Sequence, residues 1–214
     1  AIGEQFAGQG PALMTEYQPY GVRHFLRRLD PEGASELRRR PIPLRDGSLV
    51  PKGGYADFGA FRPQAVHAYR TLVLRRTPVG TRPPASYHLV WQRRFYEVWQ
   101  RPEVVPVSVT RRPPCAGPLE VRGRTFSAPT NGRYEVWVGG SVRGRLTAFV
   151  DDRRVGQVRH QLNHTGQYTS LGTVELAAGI HALDRRDHRS RLGPGEGGEA
   201  WVTGPLVVTP ANRC

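Results

Sequence analysis

The densest group of side chains suited to ligand recognition lies in one short stretch, VRHQLNHTGQY, from Val158 to Tyr168. It combines guanidinium, imidazole, amide and phenol groups, carried by Arg159, His160, Gln161, Asn163 and Tyr168. Planar polar groups of this kind hydrogen-bond sugar hydroxyls, while an aromatic face takes the apolar side of the ring. The stretch therefore predicts either a carbohydrate-binding site or a polar hairpin end without a ligand.

Two tryptophans are candidate stacking platforms for such a ligand. In RYEVWVGG, the alternation of a β-strand sends Tyr134 and Val136 to one face, and Glu135 and Trp137 to the other. Trp137 is then either an exposed platform or a residue covered by another strand or by the first half of the chain. Trp201 follows the glycine-rich GPGEGGEA and is expected at a loop rim or as a plug at the end of a sandwich.

Patterns that would support catalysis or metal binding are weak. The chain has no G-x-S-x-G nucleophile elbow, and GPGEGG lacks the Lys-Ser/Thr of a phosphate loop. His160 and His164 would share a face only on a helix, whereas their segment reads as strand and turn. The carboxylates available for acid–base work show no paired spacing: Glu16, Asp30, Glu32, Asp57 and Glu97. We therefore expect no autonomous catalysis, with a free-standing extracytoplasmic enzyme as the remaining alternative.

Charge and composition narrow the class of partner. The net charge is +13, which invites a nucleic-acid interpretation, but Lys52 is the only lysine among 31 basic residues. Such one-sided usage indicates codon bias, and the arginines are scattered with no nucleic-acid-binding signature. We expect no nucleic-acid partner. An anionic glycan or a lipid phosphate remains compatible with the charge.

The two cysteines, Cys115 and Cys214, have no CxxC partners and make no zinc site by themselves. They are either two unrelated thiols or a disulfide that joins the start of the second half to the end of the chain. The disulfide interpretation implies an oxidising compartment. No apolar run approaches a membrane span, and the chain starts at Ala1 without a methionine. We therefore expect a piece of a longer protein, with targeting and membrane segments upstream.

The first half mixes helix and strand patterns. Residues 11–18 and 69–76 read as strands, and 86–101 as a hairpin around Gln92, Arg93 and Arg94. A helix is predicted between residues 19 and 29, because its apolar residues have helical spacing: Val22, Phe25, Leu26 and Leu29. A second, shorter helix is predicted through Ser35–Leu37, and a helical turn at 63–68. These patterns predict an α+β subdomain over residues 1–105.

A proline-rich linker over residues 106–118 separates that subdomain from an all-β half over residues 119–214. Short alternating runs follow one another with turns at regular spacing and no helical segment. This pattern is typical of a β-sandwich or barrel.

The order of motifs in the second half resembles the galactose-binding-like jelly rolls, a group that includes many carbohydrate-binding modules. The residues that carry the resemblance lie in three consecutive strand motifs and a closing strand: Gly132, Tyr134, Val136 and Val138; Val150, Asp151, Val155 and Gly156; Leu176, Gly179, His181 and Leu183; and Gly204–Pro210. The resemblance implies a jelly-roll sandwich. It also implies a structural calcium, for which Glu120 is the candidate ligand.

The first half is similar to the extracytoplasmic region of bacterial polytopic glycosyltransferases that use lipid-linked sugars. The similarity rests on Tyr17–Arg27 and Arg82–Arg101. Cell-wall arabinosyltransferases have a comparable arrangement, a region outside the membrane that contains a carbohydrate-binding sandwich. The resemblance implies a non-catalytic region that helps to hold the acceptor glycan for a cell-envelope glycosyltransferase, with carbohydrate and the membrane portion of the same chain as partners. The alternative is a structural module with no sugar ligand.

Overall fold

The computed structural model describes most of the chain, namely residues 1–102, 116–163, 166–188 and 203–211. The chain divides into two compact units. The first comprises Ala1–Arg76 and Gly80–Pro113, and the second comprises Thr77–Val79 and Pro114–Cys214. Across the described ranges, no helix is both long enough and apolar enough to span a membrane.

The first unit is built on a mixed five-stranded sheet. Its strands are β1 (Ala12–Met14), β2 (Pro31–Gly33), β3 (Thr71–Arg75), β4 (His88–Gln92) and β5 (Tyr96–Gln100). The order across the sheet is β2-β1-β3-β5-β4. Strand β1 is parallel to both β2 and β3, whereas β5 is antiparallel to its neighbours β3 and β4. A strand within each of the predicted stretches 11–18 and 69–76, and the predicted hairpin at 86–101, are confirmed.

Both faces of this sheet are buried, so β3 reads as a continuous apolar run rather than an alternating one. Leu13, Leu72 and Trp99 belong to the core on one face. Ala12 and Val73 belong to the core on the other face. Strand alternation divides neighbouring residues between the two cores, which fixes the register of the sheet.

The helical segments of the first unit are short. Helix α1 spans Ile2–Gln5 and α2 spans Pro63–Val66, the latter at the predicted helical turn. The helix predicted between residues 19 and 29 is instead a π-helical turn, Gly21–Phe25, followed by a 3₁₀ turn, Arg27–Leu29. A further 3₁₀ turn covers Phe58–Ala60. The wider π-helical turn shifts the apolar stripe, so that Phe25 is 58% exposed.

The short helix predicted through residues 35–37 is wrong. Leu37 has a φ of +61°, in the left-handed region, which no α-helical residue adopts. The fully buried Glu32 carboxylate accepts hydrogen bonds from the Arg39 backbone N–H (2.9 Å) and from Arg40 Nε (3.2 Å). A buried carboxylate needs such partners, and the chain bends after β2 to supply them.

The second unit consists of two antiparallel sheets. Its strands are β6 (Val121–Arg122), β7 (Thr125–Ala128), β8 (Gly132–Gly140), β9 (Val142–Val150), β10 (Arg153–Gln161), β11 (Tyr168–Leu176), β12 (Gly179–His188) and β13 (Thr203–Pro210). One sheet has the order β10-β9-β12-β7-β6, and the other has the order β11-β8-β13. The two sheets form a β-sandwich around one apolar core.

Alternation in β8 and β9 builds this core. Tyr134 and Val136 of β8 point inward, as do Leu146 and Ala148 of β9, so the residues between them point outward. At the corner between β10 and β11, Gly156 lies against the backbone of Leu171, where a Cβ would overlap the carbonyl oxygen. Glycine is therefore required for the close approach of these two strands.

Candidate functional site

Asn163 lies at the centre of the predicted ligand stretch, but its side chain is committed to the fold. It is 8% exposed. Its Nδ2 donates to the Gly140 carbonyl (2.9 Å) and to Thr169 Oγ1 (3.0 Å). Its Oδ1 accepts from Gln161 Nε2 (3.2 Å). Because these bonds use both amide hydrogens, Asn163 ties β10 and β11 to the end of β8 and is not placed to bind a sugar.

Ser141 adds two hydrogen bonds to this network, both with the backbone of Asn163. The Asn163 N–H donates to Ser141 Oγ (3.0 Å), and Ser141 Oγ donates to the Asn163 carbonyl (2.8 Å). The connection between β10 and β11 is therefore fixed by a hydrogen-bond network. Gln161 and Tyr168 are half-buried beside it. The connection is not a hairpin end, because β10 and β11 belong to different sheets, but its polar groups serve the fold in this half of the predicted stretch.

Arg159 and His160 are the exposed members of the stretch. His160 has a φ of +43° and sits at an irregularity in the β9–β10 pairing, between Arg159 and Gln161. A bulge of this kind turns successive side chains out of simple alternation. Arg159 therefore stays on the outer face of the sheet, while Gln161 reaches back to Asn163.

Trp137 corresponds to the second of its two alternatives, a residue covered by the rest of the protein rather than an exposed platform. It is 2% exposed, and its Nε1 donates a hydrogen bond to Thr209 Oγ1 (3.1 Å). Alternation places it on the outer side of β8, as the sequence predicts, but the indole face is covered. The other predicted platform, Trp201, lies outside the described residues, as do His164, Cys115 and Cys214.

Glu120, the candidate calcium ligand, is exposed and held by Arg122. Both carboxylate oxygens accept hydrogen bonds from the Arg122 guanidinium, each at 3.1 Å. Within the parts of the chain that the structure describes, no group of three His, Cys, Asp or Glu side chains is arranged to hold a metal ion. The calcium prediction therefore finds no ligand set in these ranges.

Two residues of the resemblance motif, Asp151 and His181, meet directly. Asp151 begins the tight turn between β9 and β10 and has a φ of +48°. Its Oδ2 lies 2.6 Å from His181 Nδ1, and its Oδ1 accepts the Ala182 N–H (2.9 Å). His181 Nε2 lies 2.9 Å from the Ala177 carbonyl. The pair is a structural clamp between the β9–β10 turn and β12.

The clamp shifts the pKa of each partner. The hydrogen bond to Asp151, assisted by the Ala177 carbonyl, raises the pKa of His181 above its usual 6.5. Partial burial raises the pKa of Asp151, but the hydrogen bonds from His181 and Ala182 outweigh it and leave that pKa below 3.8. Both shifts favour the ion pair, so the clamp is charged at mildly acidic pH.

A row of basic side chains crosses the outer face of the five-stranded sheet of the second unit. Arg159 of β10 pairs in register with Arg145 of β9, and Arg145 pairs in register with His188 of β12. Residues directly opposite each other in neighbouring strands project from the same face. Arg159 and His188 are exposed, and Arg145 is partly buried between them. The adjacent row, Gln157, Thr147 and Arg186, is also polar.

Arg154 and Arg186 lie on the same side of this sheet as the row of basic side chains. We call the whole surface the basic face, and it consists of Arg145, Arg154, Arg159, Arg186 and His188. Arg186 lies over the ring of Phe149, with its Cζ 4.6 Å from the ring centroid. Arg154 pairs in register with Phe149 on the other side. The acidic residue of this row, Asp184, is 3.3 Å from Arg124. The basic face therefore presents guanidinium and imidazole groups on three neighbouring strands.

The first unit holds a second polar cluster that the sequence did not indicate. Glu16 follows β1, and its carboxylate accepts a hydrogen bond from the Tyr96 hydroxyl at the start of β5. The backbone of Glu16 pairs with that of Tyr55, and Arg75 lies over the Tyr96 ring at 5.8 Å. Burial, with Glu16 adding to it, raises the pKa of Tyr96, so this phenol stays protonated.

This Glu16 cluster lies at the carboxyl ends of the parallel strands β1 and β3, where the strand order reverses. Ligands of open α/β sheets bind at such positions. Here Glu16 is buried and held by a tyrosine, so it acts as a structural acceptor rather than as an exposed acid or base.

Arg145, Arg186 and His188 were missed as site residues. They are arginine and histidine in a chain rich in both, so type alone does not single them out. Strand alternation does place Arg143 and Arg145 on one face of β9. The pairing register with β10 and β12, which brings them beside Arg159, cannot be read from one strand.

Compared with known protein families and with curated protein sequences, the chain matches none of them.

Proposed function

We propose that the chain is a non-catalytic carbohydrate-binding region that serves a cell-envelope glycosyltransferase, and that the basic face holds the acceptor glycan. The second unit is then a galactose-binding-like jelly roll, and the first an α+β subdomain. The protein works outside the cytoplasm, tethered to the membrane portion of the same chain.

The observation that supports this role is the arrangement of planar polar groups on the basic face. Arg159 and Arg145 are aligned on two strands, and Gln157 in the next row is partly exposed beside the buried Thr147. Guanidinium and amide groups offer several donors in fixed geometry, as the many hydroxyls of a glycan require. The sheet holds them on a rigid surface, so little entropy is lost when a glycan binds.

A structural module without a sugar ligand is the second candidate. It is favoured by Trp137 and Asn163, which were chosen as ligand contacts but serve the fold. Both candidates predict that substitution of these residues unfolds or loosens the second unit. Only the carbohydrate-binding proposal predicts a ligand for the basic face.

The test is a glycan array of cell-envelope polysaccharide fragments probed with the full chain and with Arg159→Ala. We expect saturable binding by the full chain and a marked loss in the variant. Arg133→Ala is the matched control, because Arg133 lies on the other sheet and pairs with Glu175 at 2.9 Å. If the folded chain binds no glycan on the array, the structural module is the better account.

The extracytoplasmic location has a separate test through Cys115 and Cys214. The proposal expects these two residues to form a disulfide in the chain isolated from an oxidising compartment. Thiol titration of the unfolded, unreduced chain should then find no reactive thiol. Two titratable thiols would remove this support for the location.

A further inference from the structure

We propose that the basic face binds a polysaccharide that carries a carboxylate on each sugar residue. This inference rests on the proposed function and deepens it, because it gives the charge class of the glycan held by the same face. The chain would then recognise an acidic polymer by its repeating negative charge, and the sugar rings by their hydroxyls.

The spacing of the cations fits a polymer laid across the strands. Arg159, Arg145 and His188 occupy equivalent positions on three neighbouring strands. Neighbouring strands are about 4.8 Å apart, which is close to the length of one sugar residue in an extended polysaccharide. A polymer with carboxylates along its length can therefore place carboxylates against Arg159 and Arg145, with the His188 imidazole as a further hydrogen-bonding group at the end of the row.

Among the described residues, the two arginines of this row have no acidic partner. In the ranges that the structure describes, no acidic side chain lies within ion-pair distance of Arg145, Arg159 or His188. Like charges directly opposite each other destabilise a sheet. A ligand with negative charges at matching positions removes that repulsion, and arginine binds a carboxylate through two parallel hydrogen bonds.

The row next to the cations favours a glycan over a lipid surface. Gln157 is partly exposed there, close to the exposed Arg186, while Thr147 between them is buried. A neutral amide suits sugar hydroxyls, whereas a lipid surface calls for exposed apolar anchors among the cations. Phe149, the aromatic residue of this face, is covered by Arg186. Two exposed apolar side chains lie outside the row: Leu162, which is 65% exposed, follows the end of β10, and Ile180, which is 79% exposed, lies towards the far end of β12 from His188. The vesicle measurement below tests whether they act as membrane anchors.

The test measures binding of the full chain to oligogalacturonate, to neutral galactan of equal length, and to phosphatidylglycerol vesicles. The variant is Arg145→Ser with Arg159→Ser. The control is Arg122→Ser with Arg133→Ser, which removes the same charge from β6 and β8, outside the basic face. Melting curves of all three proteins establish that they are folded.

We expect oligogalacturonate to bind the full chain more tightly than galactan, and the affinity to fall about tenfold or more in the basic-face variant. The control variant should stay within about twofold of the full chain. An equal loss in both variants would mean non-specific attraction and would overturn the inference.

The other outcomes separate this inference from the proposed function. If galactan binds as tightly as oligogalacturonate, the carbohydrate-binding role stands and the acidic class is wrong. Failure of every glycan to bind would remove both. Binding to vesicles without binding to oligogalacturonate would assign the basic face to a membrane surface and would also overturn the inference.

Discussion

The outer faces of the two sheets in the second unit follow the same strand alternation and differ in what they present. The five-stranded sheet carries the basic face, with Arg159 and His188 exposed. The three-stranded sheet carries Trp137, Glu135 and Thr209, all buried. On that side the polar groups are paired within the protein: Trp137 donates to Thr209, and Ser170 donates to Glu135 at 2.5 Å.

This difference shows that a side chain on the outer face of a sheet is not always exposed to solvent and free to contact a ligand. Buried polar groups are hydrogen-bonded because an unpaired one is costly, and the three-stranded face obeys this rule. The cations of the basic face remain in water and tolerate the absence of partners. We therefore assign stability to the three-stranded face and propose ligand binding for the basic face.

The largest expected effect comes from Trp137→Ala, which removes a buried aromatic side chain. We expect the free energy of unfolding to fall by about 3–5 kcal/mol, measured by denaturant titration of the full chain. Trp137→Phe is the control and should lose less, because it keeps most of the apolar volume. Full stability of Trp137→Ala would mean that the indole is not part of the packed structure.

Asn163→Ala should have the next largest effect. It leaves the Gly140 carbonyl and Thr169 Oγ1 without their partner, which costs about 1–3 kcal/mol of unfolding free energy. Gln161→Ala removes one weaker bond to the same network and should cost less. Below its melting temperature, Asn163→Ala should bind glycans as the full chain does. Loss of glycan binding by a folded Asn163→Ala would show that the connection around Asn163 is part of the binding site.

Arg145→Ser should act in the opposite direction and increase stability. Removing Arg145 relieves its repulsion with Arg159, which lies directly opposite on β10, by about 0.2–1 kcal/mol at low ionic strength. The gain should shrink as salt is added, since salt screens the repulsion. Thermal unfolding at two salt concentrations measures this. A loss of stability at both concentrations would show that Arg145 has a packing role.

The smallest effect concerns the pH dependence of the Asp151–His181 clamp. The raised pKa of His181 gives stability that is present below pH 6.5 and is lost as the pH rises through the folded-state value. The lowered pKa of Asp151 gives stability that is present above pH 3.8 and is lost as the pH falls through its folded-state value. The clamp therefore contributes most between about pH 4 and 6.5.

Asp151→Asn tests that window, because asparagine also tolerates the positive φ at this position. The difference in unfolding free energy between the chain and the variant should be below about 1 kcal/mol and largest inside the window. A difference that does not change between pH 5 and pH 8 would rule out the charged clamp.

Much of the secondary structure could be predicted from the sequence. Alternation located β8 and β9 and separated Tyr134 from Trp137. The helical spacing of Val22, Leu26 and Leu29 identified buried residues but not the type of turn. A π-helical turn depends on tertiary packing that local spacing does not encode.

The site was less predictable than the fold. The stretch at 158–168 was singled out by density of polar groups, and the structure divides it between a hydrogen-bond network around Asn163 and an exposed Arg159. That division depends on the β9–β10 pairing and its bulge, which involve residues distant in sequence. The cover over Trp137 is likewise a tertiary property that alternation cannot specify.

The most direct test of the basic face is an NMR titration of the isotope-labelled full chain with oligogalacturonate. The account predicts saturable shifts of the backbone amides of Arg145, Arg159 and His188, with little change at Trp137 and Asn163. Shifts confined to the connection around Asn163, or no shifts at saturating ligand, would contradict the account.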